Sequence, residues 1–242
     1  MLSAQPVLRQ ESLTFPHPVI LSLNTAPVRP LGPKDIPSAI AKQPADRPLR
    51  LTGLGLAGDE QGDTRVHGGV DKAVHHYPGD HYPAWRADLG DHPLLDAHGA
   101  FGENISTLGL TEADVAIGDR FRIGTALVEV SQGRQPCFRL NLRFEMPGVA
   151  LRMQDSGRTG WYYRVLEEGV VAPGDTVALT DRLAPDWTVE RIRRVFYVDM
   201  LDRDALRAIA ALTLLPERWR QLAEKRLASG AVEDWSPRLK GG

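Results

Sequence analysis

Interruption is what most limits how this chain can fold. Up to about Arg182, glycine and proline cut the apolar stretches short, and the 242 residues include 23 glycines and 18 prolines. Proline removes a backbone donor and glycine raises the entropy lost on ordering, so long helices are disfavoured there. The runs that remain are VILSLN (residues 19–24), RFRIG (120–124), ALVEVSQ (126–132) and DTVALTD (175–181). They are rich in β-branched residues and often alternate apolar with polar, which predicts short strands joined by frequent turns, as in a barrel or sandwich. Gly118-Asp119 and Gly174-Asp175 stand before such runs and read as turns feeding them. One helix is expected over residues 80–89, with Asp80 as its N-cap and Gly90 as its stop.

After Asp186 the apolar period changes. Thr188 is positioned to cap a helix through VERIRRVFY, a second helix is expected over residues 202–212, and a third starts at Pro216 and stops at Gly230. Ile192, Val195, Phe196, Leu201, Leu206, Ile209, Leu212, Trp219, Leu222 and Leu227 fall roughly at helical spacing. Three short amphipathic helices predict a small bundle packed on the β-domain. The expected organisation is mainly β with α: a β-domain, barrel or sandwich, over residues 1–183 and a three-helix domain over 184–242.

With 29 basic and 31 acidic residues the net charge is −2, which gives no reason to expect a nucleic acid or an anionic membrane as partner. The longest apolar-rich run, residues 205–215, is broken by Arg207 and falls short of the roughly 20 residues a membrane span needs. The first residues, MLSAQPVLRQESLTF, lack the apolar core of a secretory signal, so a cytoplasmic protein is expected. One cysteine excludes an internal disulfide framework.

Polar chemistry collects in four Gly-rich or turn-like places: GLAGDEQGDTRVHGGVDKAVHHYPGDHY (55–82), GAFGENIS, SQGRQPCFRLN (131–141) and SGRTGWYY. The first holds His67, His75, His76 and His81. His76 and His81 are five apart, not the i, i+4 spacing that puts two imidazoles on one helix face, and no CxxC accompanies them. A metal held by scattered histidines stays open as a hydrolase reading. GxSxG, GxGxxG and GxxxxGK[ST] are all absent, which removes the signals for a serine hydrolase, a dinucleotide enzyme and a P-loop. Cys137 lies between Arg134 and Arg139 and directly follows Pro136. On an extended strand Arg139 would share its face and Arg134 would not, unless Pro136 turns the chain.

In the order ILSLN, SAIAK, GLAGDEQGD, RVHGG, KAVHHYP, GENIS, GLTE, SQGRQPC, GRTGWYY and EDWS, the chain resembles the MOSC-domain proteins, the family of the C-terminal domain of molybdenum cofactor sulfurases, and within it the stand-alone YiiM type. The resemblance covers nearly the whole chain. It implies a MOSC-type β-barrel followed by a small C-terminal three-helix domain. It also implies binding of the molybdenum cofactor (molybdopterin) and reduction of N-hydroxylated compounds such as 6-N-hydroxylaminopurine. The family's cysteine matches Cys137, the implied molybdenum ligand; a thiolate is soft enough for that metal. The family reads SQPRxPC where this chain has Gly133 for the first proline, a change expected to loosen the loop.

A phosphate and a polar ring call for guanidinium and ammonium donors together with amides. Lys42, Arg65, Arg134 and Arg158 are the candidate cations; Asn104, Gln132 and Asn141 are the candidate amides. His67 or His76 would supply protons when an N–O bond is reduced. No flavin or nicotinamide fingerprint is present, and one cysteine cannot hold an iron–sulfur cluster, so electrons are expected from a partner protein. The alternatives are a cofactor or sulfur carrier without reductase activity, the histidine-metal hydrolase, and an interaction module with an inert thiol.

Overall fold

Alternation decides the sheet. In Asp119–Ile123 the buried Phe121 and Ile123 are separated by half-exposed Arg120 and Arg122, the period-two pattern of a strand with one face on a core. The computed structural model describes residues 15–63 and 67–241. The strands are β1 (Ser22–Thr25), β2 (Arg29–Leu31), β3 (Ile36–Ser38), β4 (Gln43–Pro44), β5 (Leu49–Thr52), β6 (Gly55–Leu56), β7 (Val74–Pro78), β8 (Ile105–Thr107), β9 (Asp119–Ile123), β10 (Ala126–Gly133), β11 (Trp161–Glu167), β12 (Gly169–Val171) and β13 (Val177–Arg182). The helices are α1 (Tyr82–Leu89), α2 (Arg139–Arg143), α3 (Val149–Ser156), α4 (Val189–Tyr197), α5 (Arg203–Ala211), α6 (Glu217–Ser229) and α7 (Ser236–Lys240).

Eight strands form one curled sheet in the order β13-β9-β10-β11-β7-β8-β1-β4. Its pairs are antiparallel except β7 and β8, which run parallel with His76 opposite Ile105. The segment before β1 bonds back to the start of β13, through Ile20 N–H to the Asp175 carbonyl at 2.9 Å and Val177 N–H to the Pro18 carbonyl at 2.8 Å. That bridge joins the segment before β1, near one end of the order, to β13 at the other and curls the sheet into a barrel. A three-stranded sheet, β12-β5-β6, and the hairpin β2-β3 flank it.

The expected three C-terminal helices are present. Thr188 caps α4 by accepting from Arg191 N–H at 3.1 Å, Asp202 caps α5, and Gly230 ends α6 in the left-handed region. Ile192, Phe196, Leu206, Ile209 and Trp219 join one buried cluster with Leu23, Phe121, Val128 and Trp161 of the barrel. Leu201, expected in that apolar stripe, is exposed. Helix α1 begins at Tyr82 after a tight turn over Gly79–His81, and Asp80 accepts from Gly109 N–H at 3.0 Å instead of capping it. A second cluster, with Tyr77, Trp85, Phe101, Phe144 and Met153 among its members, lies under α1 to α3 and contains Leu239 of α7. Among the described residues no helix is long and apolar enough to cross a membrane.

Candidate functional site

The cysteine is delivered by a strand that stops. Strand β10 ends at Gly133, Arg134 N–H still bonds to the Gly160 carbonyl at 3.1 Å, and the chain then turns so that Leu140 N–H reaches the Cys137 carbonyl at 3.0 Å. Because of that turn, Arg134 and Arg139 line the same cleft as Cys137. Gly133 stays in register opposite Trp161, and a Cβ there would stand 3.1 Å from Val189 Cγ1. The glycine therefore makes room for α4.

The cleft holds about 640 Å³ including its open mouth. Cys137 is half-buried in its wall, with Sγ 3.6 Å from His67 Nε2. His67 N–H bonds the Asp63 carbonyl at 2.8 Å. Gly68 and Gly69 follow at φ of 90° and 85°, a region that glycine enters without strain. Burial pushes the His67 imidazole down to about 4, helped by the charges of Arg139, Lys72 and Arg134 against that of Asp63. At neutral pH the ring is uncharged.

Lys72 sits on the short turn Val70–Lys72 and lies 5.9 Å from the Tyr162 ring centroid. The turn is anchored through Asp71. Its carboxylate accepts from Arg164 Nε at 2.8 Å, and its carbonyl accepts from Ser131 Oγ at 2.6 Å and Gln132 Nε2 at 3.1 Å. Burial and the nearby Arg218 lower the Lys72 ammonium to about 8, with Cys137 and Asp71 opposing. His75, also on the cleft wall, packs against Tyr162 at 5.0 Å and contacts the Thr159 carbonyl at 3.3 Å through Nε2.

Lys42 reaches the cleft but is ion-paired with Asp59, both side chains nearly fully buried. Burial lowers its pKa and Asp59 partly restores it. Asn104 lines the cleft with its amide already committed: Oδ1 accepts from His75 N–H at 3.0 Å, and Nδ2 donates to the Asn24 carbonyl at 3.1 Å and Asp59 at 2.9 Å. It shapes the wall.

Four expected site residues point elsewhere. His76 is wholly buried in the barrel, bonded to Tyr163 Oη and to Thr107 Oγ1, each at 2.9 Å, and burial pushes it to about 3. With both ring nitrogens occupied and no access to the cleft, it is not a proton donor there. Gln132 turns toward α6, where its Oε1 accepts from Trp219 Nε1 at 2.6 Å. Asn141 joins Ala150 N–H to the Leu239 carbonyl, both at 2.9 Å, outside the cleft. Arg158 stacks on Trp85 at 4.2 Å and pairs with Asp88. Arg65 lies outside the described residues. His81 pairs with Glu112 at 2.7 Å, and among the described residues no group of three or more His, Cys, Asp or Glu side chains could hold a metal ion. The histidines are thus spread over a barrel interior, a cleft wall and an ion pair.

Lys72 and Tyr162 line the cleft but were not assigned roles from sequence, and His75 and Arg139, also in its wall, were named only as a metal ligand and as a neighbour of Cys137. Their signal was present in the quoted motifs: VDKAVHHY places Lys72 and His75 three apart, and GRTGWYY carries the tyrosine. What was missing was the pairing of Tyr162 with His75 across β11 and β7.

A curled β-barrel that sets one half-buried thiol among an imidazole, an ammonium group and guanidinium groups defines a thiol-bearing, anion-receptive cleft protein. Residues 63–178 match the MOSC domain model, and residues 187–230 match the model for the YiiM-like 3-alpha helix domain. Protein YiiM of Escherichia coli (strain K12) is 42% identical over 209 residues, covering 86% of this chain and 93% of that protein. The crystal structure of YiiM from Geobacillus stearothermophilus superposes with a TM-score of 0.74 at 33% identity, covering 87% of this chain and 99% of the other. A protein of Gibberella moniliformis named "Reductase" is 40% identical over 198 residues, but the chain spans only 35% of its length. The chain belongs to the MOSC-domain family, in its YiiM-like branch.

Proposed function

We propose that the protein binds the molybdenum cofactor in the Cys137 cleft and reduces N-hydroxylated compounds, 6-N-hydroxylaminopurine among them, with electrons from a partner protein. The observation that carries this reading is the convergence of Cys137, His67, Lys72, Arg134 and Arg139 on one cleft. The donor set fits the cofactor: a half-buried thiol offers a soft ligand, and two guanidinium groups and an ammonium suit a phosphate. Arg134 and Arg139 would hold the phosphate-bearing end, with Cys137 at the metal. When bound, the cofactor supplies the exchange of an electron pair.

The reduction consumes a pair of protons as the N–O bond breaks to give an amine and water. Lys72, with an ammonium at about 8, is protonated near neutral pH and able to release its proton there, so it is the better donor. His67, neutral at that pH and 3.6 Å from the sulfur, positions it. A lone half-buried thiol stays free in a reducing compartment, which supports a cytoplasmic setting.

The test is turnover. Protein made in a host that synthesises molybdenum cofactor is given a reduced viologen dye and 6-N-hydroxylaminopurine, and adenine is measured. Adenine formed in proportion to protein supports the reductase reading. Protein that carries molybdenum yet forms no adenine is a cofactor carrier, and the reductase reading fails.

A further inference from the structure

The motif EDWS opens the last segment of the chain, and nothing in the cleft itself accounts for it. That segment folds back across the cysteine loop. Phe138 N–H bonds the Arg238 carbonyl at 2.8 Å, and the Arg238 guanidinium donates to the Pro136 carbonyl. The same guanidinium reaches Gln154 Oε1 on α3 at 2.5 Å, and Gln154 is itself buried. One residue, 102 positions away from Pro136, therefore holds the backbone on both sides of Cys137. Three further contacts fix the segment. Asn141 Nδ2 bonds the Leu239 carbonyl at 2.9 Å, Trp235 meets Tyr197 at 5.4 Å, and a Cβ at Gly241 would come within 3.2 Å of the Phe138 ring. Gln135, on the cysteine loop, bonds Tyr197 Oη at 3.1 Å.

We infer that Arg238 is a positioning residue for Cys137: its guanidinium and its carbonyl fix the two peptide groups flanking the cysteine and so set how the thiol is presented to the cleft. The physical reason is the turn. A residue that follows a stopped strand and precedes a five-residue helix has little regular structure to hold it, and backbone groups there need partners from elsewhere. A charged guanidinium gives stronger bonds than a neutral donor and a planar fork that spans two acceptors. The inference rests on Cys137 being the functional thiol, but it does not require molybdenum.

The test uses the full chain, in which Cys137 is the only cysteine, so alkylation by iodoacetamide reports on that thiol alone. Arg238→Ala is expected to change the alkylation rate at neutral pH by about fivefold or more, the scale of one lost charge-assisted hydrogen bond. Arg238→Lys, which keeps one donor but not the fork, is expected to recover about half of that change. Arg207→Ala removes an equal charge from an exposed pair on α5 and should alkylate at the parent rate. If Arg238→Ala does not fold, Gln154→Ala releases the other end of the fork and is read the same way, with a change of about twofold. A wild-type rate in whichever of these two variants folds, even with lowered thermal stability, overturns the inference. Absence of molybdenum from the protein would defeat the reductase reading and leave this result standing.

Discussion

Cys137 and His67 face each other at 3.6 Å, and the surroundings of the imidazole hold it uncharged. Burial and the charges of Arg139, Lys72 and Arg134 hold the His67 pKa at about 4. An imidazole held so far below its usual value stays neutral through the physiological range. Its ring signals, followed by NMR, should therefore titrate near 4; a midpoint near 6.5 would contradict the packing described. For the same reason, stability tied to neutral His67 is full above about 6.5 and falls as pH drops toward 4, where the unfolded chain binds the proton first. Lys72 gives the opposite limb. If its ammonium is the proton donor, turnover should fall as pH rises through about 8, and Lys72→Met should lower it by about tenfold or more. A flat profile from 7 to 9 measured by the dye assay would exclude it. The sequence made Cys137, Arg134, Lys42, Asn104 and His67 legible as cleft residues because each sits in a motif. It could not separate His75 from His76. The two are neighbours on β7 whose side chains point to opposite faces, and only the pairing with β11 says which face is the cleft.

At the level of elements, α6 is tied to the barrel by one buried bond, Trp219 Nε1 to Gln132 Oε1 at 2.6 Å, and Gln132 passes that link to the Asp71 carbonyl beside Lys72. Trp219→Phe would leave a buried amide oxygen without its donor, at a cost of about 1–3 kcal/mol. Denaturant unfolding should show that loss, and a variant as stable as the parent would contradict it. The link between α6 and the C-terminal segment is ionic. Glu233 is raised by partial burial but lowered more by hydrogen bonds from Arg226 and Trp235, which bring it to about 2. Its stabilising contribution is full above the usual carboxylate value near 4.5 and is lost as pH falls toward 2. Trp235 fluorescence should shift over that window, and Glu233→Gln should abolish the shift. Helices α4 to α6 were legible because their caps and apolar spacing agree over nine residues or more. Helices α2 and α7 were not, because five residues are too few to display a helical period.

Across the whole molecule, the site is assembled from segments distant in sequence: the turn after β10, the His67–Lys72 stretch before β7, the Lys42–Asp59 pair, and the C-terminal segment behind the cysteine loop. Alternation and β-branched runs were enough to read β1, β9, β10 and β13, whereas β7 and β11, which carry His75 and Tyr162, were not read as strands, and closure into a barrel followed from the family resemblance. The parallel pairing of β7 with β8 and the return of α7 to Phe138 were illegible, because non-local contacts leave no periodic trace. The helical unit and the barrel share one buried cluster, so the chain behaves as one packed body around the cleft. The reading of that cleft as a molybdenum site is tested most directly by elemental analysis. Protein and its Cys137→Ser variant are purified identically from a host that makes molybdenum cofactor, with a known molybdoenzyme from the same host as reference. Near-stoichiometric molybdenum in the parent and its loss from the folded variant is the expected result. No molybdenum in the parent while the reference enzyme comes out loaded, or equal molybdenum in both forms, would contradict it.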